Sequence, residues 1–135
     1  MTSRPRRRDD RGFVAVWTIA ITSTIFMVIG FTLDAGRIVR AKSDAFGTAA
    51  AAARAGVQQI DERAAILEGR LALLEDEAVA AAVDHAAQRG YSATAQVDGL
   101  QVTVTVTGEV DPVMLGVGNV AIETTATAQA VQVTP

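Results

Sequence analysis

The chain has 135 residues, a formal net charge of −3 and no cysteine. This length allows one small domain beside a membrane segment. The lack of cysteine excludes disulfides, thiol catalysis and cysteine-based metal sites.

A charge-free apolar segment runs from Phe13 to Leu33. As a helix that rises about 1.5 Å per residue, it is about 30 Å long and matches the hydrocarbon core of a bilayer. It is also longer than the apolar region of a secretory signal peptide. We therefore predict a transmembrane helix over residues 13–33, with the lipid bilayer as a partner.

The segment before this span, residues 1–12, carries five arginines against two aspartates, whereas the rest of the chain is acidic. These arginines adjoin the span and are not interleaved with aromatic residues, so they indicate a membrane and not nucleic acid. Basic residues favour the cytoplasmic side. We predict a single-pass membrane protein, with residues 1–12 as a cytoplasmic leader and the C-terminal domain outside the cytoplasm.

Residues 34–58 form an alanine-rich extension that lacks proline, and alanine is the best helix former. We expect one helix from about Phe13 to about Val57. Small residues recur along one side of the extension, where another helix or a sheet could approach closely. This helix-packing stripe consists of Ala41, Ala45, Ala49, Ala52, Ala53 and Gly56. The alternative is that these alanines only favour helix formation and form no packing surface.

The segment 58–74 has two interpretations: a short helix capped by Asp61 and ended at Gly69, or an extended piece through Leu71 and Leu73. The sequence predicts a clearer helix from Glu75. Acidic residues at its start interact favourably with the helix dipole, and Gly90 can adopt the left-handed conformation that ends a helix. Its expected apolar face consists of Val79, Ala82, Val83 and Ala86.

After Tyr91 the hydrophobic period changes to two, which is typical of strands. The pattern predicts a strand from Ser92 to Val97, a tight turn at Asp98-Gly99, and a strand whose valines at 102, 104 and 106 point to one face. A loop with Pro112 follows, and then a last strand at about Val120 to Val131. Ala126, Ala128 and Ala130 are its inward candidates.

The predicted fold class is therefore α+β. A long N-terminal transmembrane helix with its alanine-rich extension is joined to a second helix and a small three-stranded antiparallel sheet. Residues 59–135 are expected to form the extracytoplasmic domain.

The sequence offers little catalytic chemistry. His85 is the single histidine, and it follows Asp84 on a predicted helix, where adjacent side chains diverge by about 100°. Scattered carboxylates provide no metal-ligand spacing, and no phosphate-binding loop is present. We expect no enzyme activity, no metal, no cofactor and no small-molecule substrate.

Polar residues within the span have two interpretations. Their hydroxyl groups can bond to carbonyls of their own helix, or they can form a seam for a partner helix. The candidate membrane-helix seam consists of Ala15, Trp17, Thr18 and Thr22. Trp17 also lies where an interfacial anchor is expected.

Together these parts resemble the TadE/TadG-like proteins of the tight-adherence (Flp) type IV pilus system. The resemblance is carried by the start from Asp10 to Trp17, by GFTLDAGR at residues 30–37, by AAARAG at residues 51–56 and by TATAQAV at residues 125–131. It covers nearly the whole chain, but each motif is weak by itself.

The resemblance implies a minor pilin-like subunit, or pseudopilin, or an envelope-bound assembly component of a bacterial cell membrane, which partners other pilus-system membrane subunits or pilins. It also implies a cleavage site for prepilin peptidase between Gly12 and Phe13. Trp17 departs from the pattern, because pilin-type signals have glutamate at that position. Cleavage and permanent anchoring both stay open.

The expected mechanism is assembly by helix packing and subunit docking. The apolar cluster Val113, Met114, Leu115 and Val117 is either a docking loop or ordinary core. The alternative function is a single-pass membrane-anchored adaptor or ligand-binding domain unrelated to pili.

Overall fold

The computed structural model describes residues 10–113, 116 and 118–131, with side chains from residue 12 onward. The α+β prediction is confirmed. In chain order the elements are α1 (Asp10–Val57), α2 (Glu62–Leu67), α3 (Glu75–Ala87), β1 (Ser92–Asp98), β2 (Gln101–Val110) and β3 (Val120–Gln129).

The first element, α1, is one uninterrupted helix of 48 residues. At about 1.5 Å per residue it is about 72 Å long, more than twice the thickness of a hydrocarbon core. No proline lies within it. Proline would interrupt the helix because it lacks a backbone N–H group to donate. The predicted single rod through the span and the extension is confirmed.

Both interpretations of residues 58–74 are realised, one after the other. The Asp61 carboxylate caps α2 by accepting hydrogen bonds from the backbone N–H groups of Arg63 at 2.9 Å and Ala64 at 3.1 Å. Gly69 has a φ of +61° shortly after the helix. The chain then extends, and Leu73 forms a β-bridge with Ile60. This bridge closes the segment into a loop at the end of α1.

Helix α3 buries a narrower and smaller face than we expected. Ala78, Ala82 and Ala86 are fully buried, whereas Val79 and Val83 are only half-buried. The buried residues are spaced by four and α3 packs against α1 and β1, so small side chains allow the two helices to approach closely. The valines lie at the margin of that contact.

The three strands form an antiparallel meander in the order β1-β2-β3. Asp98 pairs with Gln101, so the two turn residues are Gly99 and Leu100 and the predicted turn at Asp98-Gly99 is wrong by one residue. Gly99 has a φ of +60°, which a type II′ turn requires at its first central position. Glycine adopts this conformation readily because it has no Cβ atom.

The sheet has one buried and one exposed face, as the period-two pattern predicts. Val102, Val104 and Val106 are fully buried, because α1 packs on β2 and β3 while α3 packs mainly on β1. Threonines pair on the outer face, where the hydroxyl groups of Thr103 and Thr127 lie 3.1 Å apart. The domain is thus a two-layer unit with two helices on one side of the sheet.

Candidate functional site

The N-terminal part of α1 is not covered by the rest of the chain. The side chains from Phe13 to Ile29 are all exposed, and Phe26 and Met27 reach 71% and 79% exposure. The helix is long and apolar enough to cross a membrane. Exposed apolar surface of this extent is unfavourable in water, whereas lipid would accommodate it. The fold is therefore consistent with an anchor in a membrane.

The predicted membrane-helix seam divides between two sides of α1. Ala15, Thr18 and Thr22 share one side of the helix, and Trp17 lies about 100° from Thr18 around the axis. Trp17 instead lines a shallow apolar groove with Ala20 and Ile21. The described hydroxyl bonds are internal to the helix: Thr18 donates to the Val14 carbonyl at 2.9 Å. This is the first of the two interpretations of the polar residues in the span.

The candidate cleavage position lies at the start of α1. Gly12 and Phe13 are both helical and exposed, and Trp17 follows one helical turn later. The leader before Asp10 lies outside the described residues. Processing between Gly12 and Phe13 stays a prediction.

The helix-packing stripe lies in the chain's own core. Ala45, Ala49, Ala52 and Ala53 are fully buried. Ala41 is half-buried and packs at the edge of the same cluster. A Cβ atom built on Gly56 would lie 2.9 Å from Cγ1 of Val102 and 3.0 Å from the carbonyl oxygen of Ala78. These close contacts are made with the sheet and α3 of the same chain, so the stripe is not available to a separate subunit.

The opposite side of α1 is open. Gly47 follows Ala45 by two residues, about 200° around the helix axis, and a Cβ atom added to Gly47 or to Gly36 would meet no atom within 4 Å. We define the open face as the exposed residues Gly36, Val39, Ser43, Phe46 and Gly47. The same side continues into the span through Thr32, Ile25 and Thr18, as the periodicity of 3.6 residues per turn requires. The open face combines small residues with exposed apolar ones.

A buried carboxylate connects the end of the span to the loop between β2 and β3. Asp34 is 1% exposed, and its Oδ1 accepts a hydrogen bond from the backbone N–H of Val113 at 3.2 Å. The Arg37 guanidinium lies 3.8 Å from the same oxygen. Because a buried carboxylate without partners would be costly, these groups fix the loop against α1 at this position.

The predicted docking loop is described only in part. The Val113 side chain is 65% exposed and therefore does not belong to the core. Met114, Leu115 and Val117 lie outside the described residues. The core interpretation does not hold for Val113, and a docking role of the loop stays a prediction.

The polar residues of the domain show no assembled reaction centre in the described ranges. No group of three or more histidine, aspartate or glutamate side chains is placed there to hold a metal ion. His85 is half-buried, and its Nε2 atom has no hydrogen-bond partner among the described residues. Asp84, the residue before it on α3, is exposed. Absence of enzyme activity stays a prediction.

The comparison with protein families bears on the long helix. Residues 12–59 match the Tad family model, described as "Putative Flp pilus-assembly TadE/G-like". The resemblance inferred from the sequence is confirmed over this Tad segment, which is about a third of the chain and includes nearly all of α1. The match supports involvement in pilus assembly. No curated protein and no solved structure shows significant similarity to the chain.

Two features of the Tad segment are not predicted from the sequence. Asp34 ends the apolar run, and an acidic residue directly after a span is a signal for a polar contact at that level. The alanines favour the other side of α1 as the packing surface, so the pattern does not predict the open face. Its glycines at 36 and 47 are the available signal, since glycine weakens a helix and leaves room for a close neighbour.

Proposed function

We propose that the chain is a membrane-anchored, pilin-like component or assembly factor of a Tad/Flp pilus system that acts through helix packing and not through catalysis. One observation carries this proposal: α1 is a single helix that joins an uncovered apolar span to the core of the domain and leaves one long side free. The family match on the same helix supports it. The N-terminus faces the cytoplasm and the domain lies outside.

The open face is the surface through which α1 packs against a neighbouring pilus subunit in this proposal. The stripe on the other side is occupied by the chain's own sheet. Gly36, Ser43 and Gly47 allow a second helix backbone to approach, and Val39 and Phe46, at 68% and 54% exposure, supply apolar side chains beside them. Although these residues lie beyond the span, the same physical reason applies as for membrane helices: small residues let two helix backbones approach and gain van der Waals contact.

The test is a Gly47→Leu substitution. Space around Gly47 is open in the chain and leucine is a better helix former than glycine, so folding and membrane insertion should be retained. We expect co-purification with other pilus subunits, and piliation, to fall at least about tenfold, the effect of a loss of roughly 1.4 kcal/mol in association.

Ala80→Leu is the matched control, because Ala80 is an exposed residue of α3 outside the open face. It should assemble as the wild type does. Full assembly of Gly47→Leu would remove the open face from the mechanism. The alternative adaptor function predicts that neither substitution matters. Sequencing the N-terminus of the membrane-extracted protein distinguishes a subunit processed after Gly12 from a permanent anchor.

A further inference from the structure

The loop between β2 and β3 lies at the same height along α1 as the end of the apolar span. Val113 donates its N–H group to Asp34, and Asp34 directly follows Leu33, the last residue of the charge-free segment. The folded chain therefore reaches back along α1 to the level at which the span would leave the membrane.

The surface presented at this level is apolar. Pro112 is buried and holds the connection against the domain, whereas the Val113 side chain is 65% exposed. Phe31 and Leu33 on α1 are exposed at the same height, to 60% and 59%. The described residues of the connection after Asp111, which is itself exposed, are Pro112, Val113, Gly116, Gly118 and Asn119, and none of them carries a charge.

We propose that the chain contacts the membrane a second time at Val113, in the interfacial region of the lipid leaflet from which α1 emerges. We choose lipid as the partner of Val113 because this residue lies at the same level along α1 as the last residues of the span, whose side chains face lipid in this proposal. Arg37, whose side chain is 55% exposed beside Asp34, lies where a guanidinium meets lipid phosphate groups. The inference rests on the proposed membrane insertion of α1.

A second contact would determine how the domain is oriented. A single helix is free to tilt and to rotate about its axis, and interfacial anchors restrict both motions. When Val113 lies in the lipid interface, the side of α1 that packs on the sheet is kept close to the membrane surface. The open face then points away from that contact, toward neighbouring subunits.

The test uses tryptophan fluorescence in bilayers whose lipids carry bromine, which quenches nearby indole groups. Trp17 is the single tryptophan of the chain, so the wild type reports insertion of the span. The double variant Trp17→Phe/Val113→Trp reports the loop. The double variant Trp17→Phe/Ile66→Trp is the control, because Ile66 is 78% exposed on α2. Helix α2 follows the end of α1 at Val57, which lies about 35 Å beyond Asp34 along α1.

We expect the Val113→Trp variant to be quenched about as strongly as the wild type, and more by bromine near the headgroups than by bromine at the bilayer centre. The Ile66→Trp variant should keep its full intensity. Quenching of the wild type with none in the Val113→Trp variant would overturn this inference and leave the anchor intact. No quenching of the wild type would overturn the anchor and the proposed function with it. A nitroxide on Val113→Cys gives an independent measurement, because the chain has no cysteine.

Discussion

Glycines at different positions of α1 have opposite structural roles. Gly56 lies where the helix meets the sheet and α3, and an added Cβ would approach Val102 and Ala78 to 2.9 Å and 3.0 Å. Such distances require the core to shift. Gly47 has no neighbour within 4 Å of the same atom. The same residue type therefore serves close packing at one position and leaves an accessible surface at the other.

We predict that Gly56→Ala destabilises the domain by about 1–3 kcal/mol, the usual cost of overpacking a core. Gly47→Ala is the matched control and should leave the free energy of unfolding unchanged or raise it by up to about 1 kcal/mol, because alanine has the higher helix propensity. Denaturant unfolding of the detergent-solubilised chain, followed by circular dichroism, measures both. Equal effects of the two substitutions would contradict the packing described for Gly56.

At the scale of elements, Asp34 connects two parts of the chain that are distant in sequence. Its carboxylate receives the N–H of Val113 from the connection between β2 and β3, and it is almost fully buried. The end of the span is thereby joined to the connection between β2 and β3, in addition to the packing of α1 on these two strands. This connection holds the domain at a defined height on the helix.

We predict that Asp34→Ala costs about 1–3 kcal/mol, because the part-buried N–H group of Val113 loses its acceptor. Hydrogen exchange should become faster at Val113 while the amides of β1 keep their protection. Arg37→Ala is the control. Its guanidinium is more than half exposed and 3.8 Å from the carboxylate, so the loss should stay below about 1 kcal/mol. Unchanged exchange at Val113 in the Asp34→Ala variant would show that the bond contributes nothing.

At the scale of the whole molecule, the chain consists of an uncovered apolar half-helix and a small two-layer domain built around the other half of the same helix. The domain core is formed largely by alanine and valine. Small side chains allow close approach but bury little area each. The domain therefore depends on α1 as one of the two helices that pack on the sheet, and one continuous helix joins the span to the domain.

We predict that the domain lies outside the cytoplasm. Cysteine scanning is straightforward because the chain has no cysteine. A membrane-impermeant maleimide added to whole cells, with the outer membrane permeabilised if one is present, should label Ile66→Cys, since Ile66 is 78% exposed. It should label Ser3→Cys in the basic leader only after the cell membrane is opened. The reverse pattern would invert the proposed topology.

The sequence by itself determined the features that depend on local periodicity. The length of the span, the uninterrupted helix, the Asp61 cap and the alternation of Val102, Val104 and Val106 can all be read from neighbouring residues. Each arises from contacts within a few residues along the chain or from the side-chain direction of a strand. The predicted position of the β-turn is wrong by one residue, because adjacent pairing registers differ little in local propensity.

Only the tertiary structure decided what each face of α1 contacts. Alanine and glycine provide a small surface on both sides of this helix, and nothing local distinguishes the side that meets the chain's own sheet from the side that stays open. That choice depends on contacts between residues far apart in sequence, such as Gly56 with Val102 and Asp34 with Val113. Burial of the stripe and exposure of the open face both follow from where the meander folds back on the helix.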